Sequence, residues 1–294
     1  MGAPMLHRSW LFVPGDSARK IARAAGSGAD ALILDLEDAV APDAKPAARA
    51  LVAEALAQPA PMPRFVRVNA LPTGLAAADV AAVARAGPAG WVLPKCEGAD
   101  DIAALAGLID AAGGDPAAPI LALATETARG VMNLMRSDWS HPRLGGLTWG
   151  AEDLAADLGA SANRDPDGSY LGPFRLARDL TLLAARDAGV AAVDSVFTDI
   201  ADPAGLAAEA RLAAALGFDG KMAIHPAQIP VIHQALIPDP AQLDWARRVL
   251  AALDAAGSGV ARLDGRMLDR PHRLQAERLL SRAGRAPAGG DATG

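Results

Sequence analysis

Eight short apolar runs alternate along the chain with longer alanine-rich stretches that carry charges at helical spacing. Runs rich in Val, Ile, Leu, Phe and Trp are typical of buried strands, and intervening helices make successive strands parallel. Eight strands with seven intervening helices predict an α/β fold, a closed (β/α)8 TIM barrel with a C-terminal helical flap. The predicted strands are Trp10–Val13, Ala31–Leu36, Phe65–Val68, Trp91–Leu93, Ile120–Ala124, Gly146–Trp149, Ser195–Thr198 and Lys221–Ile224.

An open doubly wound sheet is the alternative fold for 294 residues. It loses support because the loop after the first strand, Pro14–Ser17, has one glycine and no G-x-G-x-x-G pattern. We therefore predict a catalytic barrel over 1–238, C-terminal helices and a flap over 239–283, and a disordered tail over 284–294. A Gly-Ser-Gly hinge at Gly257–Gly259 precedes the flap.

The charge balance excludes several classes of protein. A net charge of -6, 4% aromatic residues and the lack of a basic cluster argue against a nucleic-acid partner. The sequence has no apolar run near the ~20 residues that cross a bilayer, and no secretory signal pattern. The single cysteine, Cys96, forms no internal disulfide. We expect a soluble cytoplasmic protein with a small-molecule partner.

Polar residues follow every predicted strand. In a (β/α)8 barrel the active site lies at the carboxyl ends of the strands, so these residues are the candidates for function. Contact with water explains any one of them equally well. In strand order they are Asp16; Asp35, Glu37 and Asp38; Arg67 and Asn69; Lys95; Glu126; Glu152 and Asp153; Asp199; and His225.

Glu126 and Asp153 follow consecutive strands, which lie ~4.8 Å apart in a sheet, so their carboxylates can share one cation. Oxygen ligands without a Cys/His cluster favour Mg²⁺, or Mn²⁺, with water or substrate at the remaining positions. The alternative is that they form ion pairs with Arg67 or Arg129. Arg67 itself either binds a substrate carboxylate or enolate oxygen through its planar fork or forms a buried ion pair.

Seven motifs in order along the chain resemble the citrate lyase β-subunit-like branch of the HpcH/HpaI aldolase superfamily, which includes malyl-CoA and citramalyl-CoA lyases. The resemblance extends from about Arg8 to Leu280. It implies a (β/α)8 barrel, a Mg²⁺ ion and cleavage of a carbon–carbon bond in a 3-hydroxyacyl thioester of CoA or of an acyl carrier protein. The motifs are Phe12–Asp16, Leu34–Val40, Arg67–Asn69, Leu93–Lys95, Glu126–Gly130, Gly150–Leu154 and Gly220–Pro226.

The resemblance also implies roles for single residues. Glu126 and Asp153 would hold the metal, and Arg67 would hold the substrate. Asp269, in a flap-like segment Asp264–Pro271, would carry a proton over the site of a neighbouring subunit in a homotrimer or hexamer. Glu37 and Asp38 would orient the cations around them. The residues expected to bind the CoA or its thioester are Arg19, Lys20, Lys95, Lys221, Ile224, His225 and Pro226.

The predicted function is therefore Mg²⁺-dependent lyase cleavage of a malyl-, citramalyl- or citryl-type thioester to a 2-oxo acid and an acetyl thioester. Two alternatives remain. One is a class II aldolase that acts on free pyruvate, against which the flap and the Gly220–Pro226 segment count. The other is a non-catalytic thioester-binding subunit, because a fold alone does not establish activity.

Overall fold

The computed structural model describes residues 5–257 and 259–284, which form two compact units divided between Ile232 and His233. In the first unit eight parallel strands, hydrogen-bonded in sequence order, close into a barrel with β1 beside β8. The predicted TIM barrel is confirmed. The strands are β1 Ser9–Pro14, β2 Ala31–Asp35, β3 Arg64–Arg67, β4 Gly90–Leu93, β5 Ile120–Leu123, β6 Leu144–Thr148, β7 Ala191–Asp194 and β8 Gly220–Ala223.

Helices follow the strands in the first unit. They are α1 Ala18–Ala24, α2 Lys45–Ala57, α3 Ala76–Val83, α4 Ala99–Ala111, α5 Ala128–Asn133, α6 Ala151–Leu158, α7 Gly172–Asp187, α8 Pro203–Leu216 and α9 Gln228–Leu236, the last of which crosses the unit boundary. None of the described helices is long and apolar enough to cross a membrane.

Inward-facing side chains fill the barrel. Trp10 of β1 and Phe65 of β3 meet edge to face, with ring centroids 4.8 Å apart. Gly90 of β4 lies against the same phenylalanine, and a Cβ there would come 2.3 Å from the ring, so glycine is required. A packed interior leaves the rim at the strand ends as the place for polar side chains.

Two predictions along the chain are wrong. The seventh strand is Ala191–Asp194, four residues before the predicted Ser195–Thr198, so the acid at its end is the buried Asp194 and not Asp199. The helix α6, Ala151–Leu158, was not predicted, so the count of seven intervening helices is one too few. The alanines of β7 gave no strand signal, and α6 is only eight residues long.

The second unit packs two helices against a hairpin. These elements are α10 Pro240–Ala256, the antiparallel strands β9 Ala261–Leu263 and β10 Arg266–Leu268, and α11 Arg270–Ala283. Leu279 and Leu280 of α11 are partly buried against the core of this unit, whereas Leu274 is 45% exposed. Most of the apolar face of α11 is thus covered inside its own unit. From residue 285 onward the predicted tail lies outside the described residues.

Candidate active site

Arg67 is fixed at the carboxyl end of β3 by the neighbouring strand. Asp35, the last residue of β2, lies in register with it. The guanidinium donates two hydrogen bonds to that carboxylate, Nε to Oδ1 and Nη2 to Oδ2, both 2.7 Å. It also lies over the ring of Phe12, 4.8 Å from the centroid. A bidentate pair and a stacked ring leave the buried Arg67 one orientation.

Glu37 connects the two cations of the site. Its Oε2 lies 2.9 Å from Nη1 of Arg67, and its Oε1 accepts a hydrogen bond of 2.9 Å from Nζ of Lys95. Burial raises the pKa of Glu37, and the charges of Arg67 and Lys95 oppose that rise. Asp38 lies at the edge of this group, 3.8 Å from Nζ of Lys95 and largely exposed. Glu37 and Asp38 thus lie beside the cations that they are predicted to orient, and the orienting role stays a prediction.

Two further groups hold the loop that carries Glu37. Nζ of Lys45 donates to the backbone carbonyls of Leu36 and Glu37, each at 2.9 Å. Nδ2 of Asn69 donates to the carbonyl of Leu36 at 2.8 Å and to the buried Asp79 at 2.7 Å. Sequence reasoning overlooked Lys45 and Asp79, because only the fold brings these helical residues to the loop.

Lys95 reaches the site from the end of β4, and its closest contacts are with three carboxylates. Its ammonium lies 2.9 Å from Oε1 of Glu37 and 3.1 Å from Oδ1 of Asp153. Its backbone N–H donates to Oε2 of Glu126 at 2.6 Å. Burial lowers the pKa of Lys95, but hydrogen bonding to Glu37 and the charges of Glu37, Glu126 and Asp153 raise it above the usual lysine range. The amine is therefore protonated at neutral pH.

Glu126 and Asp153, the predicted metal ligands, both contact Lys95, one through its backbone N–H and the other through its ammonium. Glu126 follows β5 and is buried, with its Cγ against Gly150, where a Cβ would come within 2.9 Å. Asp153 lies in the first turn of α6. Burial, followed by the charges of Asp153 and Glu37, raises the pKa of Glu126 to about 8, although Arg67 and the Lys95 N–H oppose the rise.

Two cations, Arg67 and Lys95, face five acids in this site. We define the carboxylate cluster as Asp35, Glu37, Asp38, Glu126 and Asp153. The neighbouring positive charges do not offset the burial of Glu126, so its pKa stays raised. A cation beside this carboxyl would favour its ionised form. Within the described part of the chain, no three His, Cys, Asp or Glu side chains are arranged to hold a metal ion alone. Two carboxylates fit Mg²⁺, which keeps waters or substrate oxygens.

A model of the HpcH/HpaI aldolase/citrate lyase family matches residues 8–226, and a model of a C–C bond lyase of the TIM-barrel fold matches 174–285. The chain belongs to the HpcH/HpaI aldolase/citrate lyase family. The resemblance inferred from the seven motifs is thus confirmed.

Three relatives of this HpcH/HpaI family member cover nearly its whole length. A citrate lyase subunit beta-like protein of Mycobacterium tuberculosis is 42% identical over 94% of this chain and 96% of its own. A (3S)-malyl-CoA thioesterase of Cereibacter sphaeroides is 39% identical over 94% of each chain. The crystal structure of the protein CitE of Mycobacterium tuberculosis in complex with magnesium, acetoacetate and coenzyme A is 41% identical, covers 95% of this chain and 99% of its own, and superposes with a TM-score of 0.83.

Five of the seven residues predicted to bind CoA or its thioester fall into two groups in this HpcH/HpaI chain, whereas Lys95 lies among the carboxylates of the site, and its contact with the thioester stays a prediction. Arg19 and Lys20 are exposed on α1, and Ile224, His225 and Pro226 follow β8. Because β1 pairs with β8, the two segments follow neighbouring strands at the same end of the barrel.

Lys221 does not belong with them. Its Nζ is completely buried and contacts Asp194 at 2.9 Å and Glu209 at 2.7 Å. A contact of Lys221 with CoA is therefore wrong for this structure, because the strand turns its side chain into an internal ion-pair network.

Asp269 lies in the second unit at the start of α11. Its Oδ1 lies 2.7 Å from Nδ1 of His272, so the carboxylate and the imidazole are within hydrogen-bonding distance. His272 also lines a pocket of about 350 Å³ within this unit, together with Trp245 and Leu268. The prediction that Asp269 serves a neighbouring subunit stays a prediction.

Proposed function

We propose that this chain is a Mg²⁺-dependent carbon–carbon lyase that cleaves a 3-hydroxyacyl-CoA thioester of malyl, citramalyl or citryl type. The observation that carries the proposal is the pairing of Glu126 and Asp153 beside Arg67 and Lys95 at the carboxyl ends of the strands. The CitE relative, in complex with magnesium, acetoacetate and coenzyme A, supports the choice of metal and carrier.

The reaction needs a base for the substrate hydroxyl and a place for the electron pair of the broken bond. As the hydroxyl loses its proton, the carbinol carbon becomes the carbonyl of a 2-oxo acid and the electron pair passes to a thioester enolate. Protonation of the enolate carbon then gives the acetyl thioester. When bound, Mg²⁺ would supply Lewis-acid polarisation of the substrate oxygens.

The chain's own residues supply the rest. Arg67, held in one orientation by Asp35 and Glu37, offers fixed N–H donors to developing negative charge without having to reorganise. Lys95 adds a second positive charge that is 32% exposed and so accessible to a substrate. Asp269 is our candidate for the proton carrier.

The test is a screen of malyl-, citramalyl- and citryl-CoA with metal-stripped protein, with and without Mg²⁺. We expect release of a 2-oxo acid and acetyl-CoA in equal amounts, only with Mg²⁺.

Asp153→Asn should weaken Mg²⁺ binding in calorimetry and regain part of its activity at high Mg²⁺. Unchanged Mg²⁺ binding in both Asp153→Asn and Glu126→Gln would remove the metal assignment. Turnover of free 2-oxo acids without any binding of CoA would favour the aldolase alternative.

Thioester hydrolysis is the second candidate, because a relative with 39% identity is a (3S)-malyl-CoA thioesterase. The two reactions differ in products: hydrolysis releases a free thiol and the intact hydroxy acid, whereas cleavage keeps the thioester in acetyl-CoA. Measuring free thiol and 2-oxo acid in the same reaction separates them. Thiol release without 2-oxo acid would replace the lyase by the hydrolase. The same assay with carrier-protein thioesters tests the other carrier.

A further inference from the structure

Lys95 has an unusual backbone. Its φ is +49°, and among the described residues the only other non-glycine with a positive φ is Asp264. This left-handed conformation is unfavourable for a non-glycine residue and persists where the surrounding structure requires it. In this conformation the backbone N–H of Lys95 contacts Glu126 while its side chain contacts Asp153. Lys95 thus contacts both proposed metal ligands.

The ammonium of Lys95 is the more exposed of the two cations in the cluster. Arg67 is held by a bidentate pair and is only 10% exposed, whereas the Lys95 side chain is 32% exposed and has four rotatable bonds. Nζ of Lys95 lies 3.1 Å from Asp153, 2.9 Å from Glu37 and 3.8 Å from Asp38. An ammonium that leaves Asp153 therefore has two other carboxylates within reach.

We propose that Lys95 is a positioning residue whose ammonium holds Asp153 and competes with the divalent cation for it, while its backbone N–H fixes Glu126. This inference rests on the proposed function. When a cation binds Asp153, the ammonium is retained by Glu37 and Asp38 and stays in the site. One residue thereby sets the positions of both ligands and the selectivity of the site.

The selectivity follows from charge. A monovalent ion at Asp153 brings no more charge than the ammonium that it displaces, so it gains little. A divalent cation brings twice the charge at a similar distance, and Coulomb attraction scales with that charge. The ammonium also offsets the repulsion between Glu126 and Asp153, which adds to the effect of burial in raising the pKa of Glu126. Competition by Lys95 thus favours Mg²⁺ over Na⁺ and K⁺.

The test is Mg²⁺ calorimetry on metal-stripped wild-type protein and on Lys95→Met, which keeps the chain length and removes the charge. We expect Lys95→Met to bind Mg²⁺ more tightly, by roughly tenfold, and to discriminate less against K⁺ in competition. Its kcat at saturating Mg²⁺ should fall. If Lys95 only supported the metal ligands, its substitution would weaken the binding of Mg²⁺ by the protein. If Lys95→Met does not fold, Lys95→Gln carries the same expectation, and Lys95→Arg, which retains the charge, should show no gain.

Arg129→Met is the matched control. Arg129 lies three residues after Glu126, is 76% exposed and faces Glu97 at 3.6 Å. The Arg129→Met variant loses the same charge as Lys95→Met, and we expect its Mg²⁺ affinity to stay within about twofold of wild type. Equal or weaker Mg²⁺ binding by Lys95→Met would overturn the competition. If the wild-type protein itself bound no Mg²⁺, the proposed function would fail first, so the two failures are distinct.

Discussion

Arg67 is held through all three of its nitrogens. Nε and Nη2 bind Asp35, and Nη1 lies 2.9 Å from Glu37. A lysine at this position has one nitrogen, which cannot match a carboxylate fork and face a second acid at the same time. The geometry of the site therefore depends on the shape of the guanidinium and not only on its charge.

We expect Arg67→Lys to lower kcat/KM at least ~100-fold at unchanged net charge, because fixed donors to developing charge contribute that much in other enzymes. The measurement is steady-state kinetics on the thioester identified in the screen. Arg175→Lys, on the exposed face of α7, is the matched control and should behave as wild type. Near-wild-type kinetics for Arg67→Lys would mean that the arginine serves the fold alone.

Glu126 makes the stability of the metal-stripped protein depend on pH. Its pKa is about 8 in the folded chain against 4.5 ordinarily, so the folded state binds this proton more tightly than the unfolded state. Its contribution to stability is therefore largest below about pH 4.5 and is lost as the pH rises toward about 8. The folded state loses stability because ionising a buried carboxyl without a bound cation costs free energy.

We expect the melting temperature of the metal-stripped wild type to fall more steeply over that range than that of Glu126→Gln. Added Mg²⁺ should remove most of the difference, because a bound cation favours the ionised carboxylate. Thermal melts at several pH values, with and without Mg²⁺, check both statements. Parallel curves for the two proteins would show that burial of Glu126 carries no such penalty.

At the scale of elements, the sequence predicts strands best where apolar runs are uninterrupted, as in β2, and fails at β7, whose first residues are alanines. The rule that functional residues follow strands locates Arg67, Lys95 and Glu126. It does not reveal that Lys95 joins Glu126 to Asp153, because that depends on a left-handed backbone after Pro94. Nor does it separate a buried lysine from an accessible one, as Lys221 shows.

The end of β7 is joined to β8 by a buried network. Asp194 pairs with Lys221 and with Arg178 of α7, and it accepts a hydrogen bond of 2.8 Å from Nε1 of Trp149. Burial acts to raise the pKa of Asp194. The charges of Lys221 and Arg178 lower it by more than burial raises it, so the pKa lies below the usual range for an aspartate. Glu209 of α8 binds the same lysine.

Lys221→Met would leave Asp194 and Glu209 buried with less positive charge. We expect a loss of about 3–5 kcal/mol in the free energy of unfolding, as for other buried pairs broken by removing one partner. Urea unfolding followed by tryptophan fluorescence measures it. Lys20→Met on the exposed face of α1 should change stability by less than ~0.5 kcal/mol. A loss below ~1 kcal/mol for Lys221→Met would show that the network relaxes or admits water.

At the scale of the whole molecule, the residues proposed for the reaction belong to two units. The barrel supplies Glu126, Asp153, Arg67 and Lys95, whereas the candidate proton carrier Asp269 belongs to the C-terminal unit. The helix after Asp269 buries Leu279 and Leu280 within that unit, so burial of α11 is not by itself a reason for assembly. The shared site in a homotrimer or hexamer is thus a prediction that needs a functional test.

Complementation provides that test. Asp269→Ala and Glu126→Gln should each be inactive alone. If a site combines the barrel of one subunit with the flap of another, random exchange in an equal mixture produces roughly one quarter of sites with both residues intact. We therefore expect about a quarter of wild-type activity in the mixture. A site built within one chain regains none, since every chain carries one lesion. Co-purification of differently tagged subunits establishes exchange, and an inactive mixture with proven exchange would place Asp269 outside a shared site.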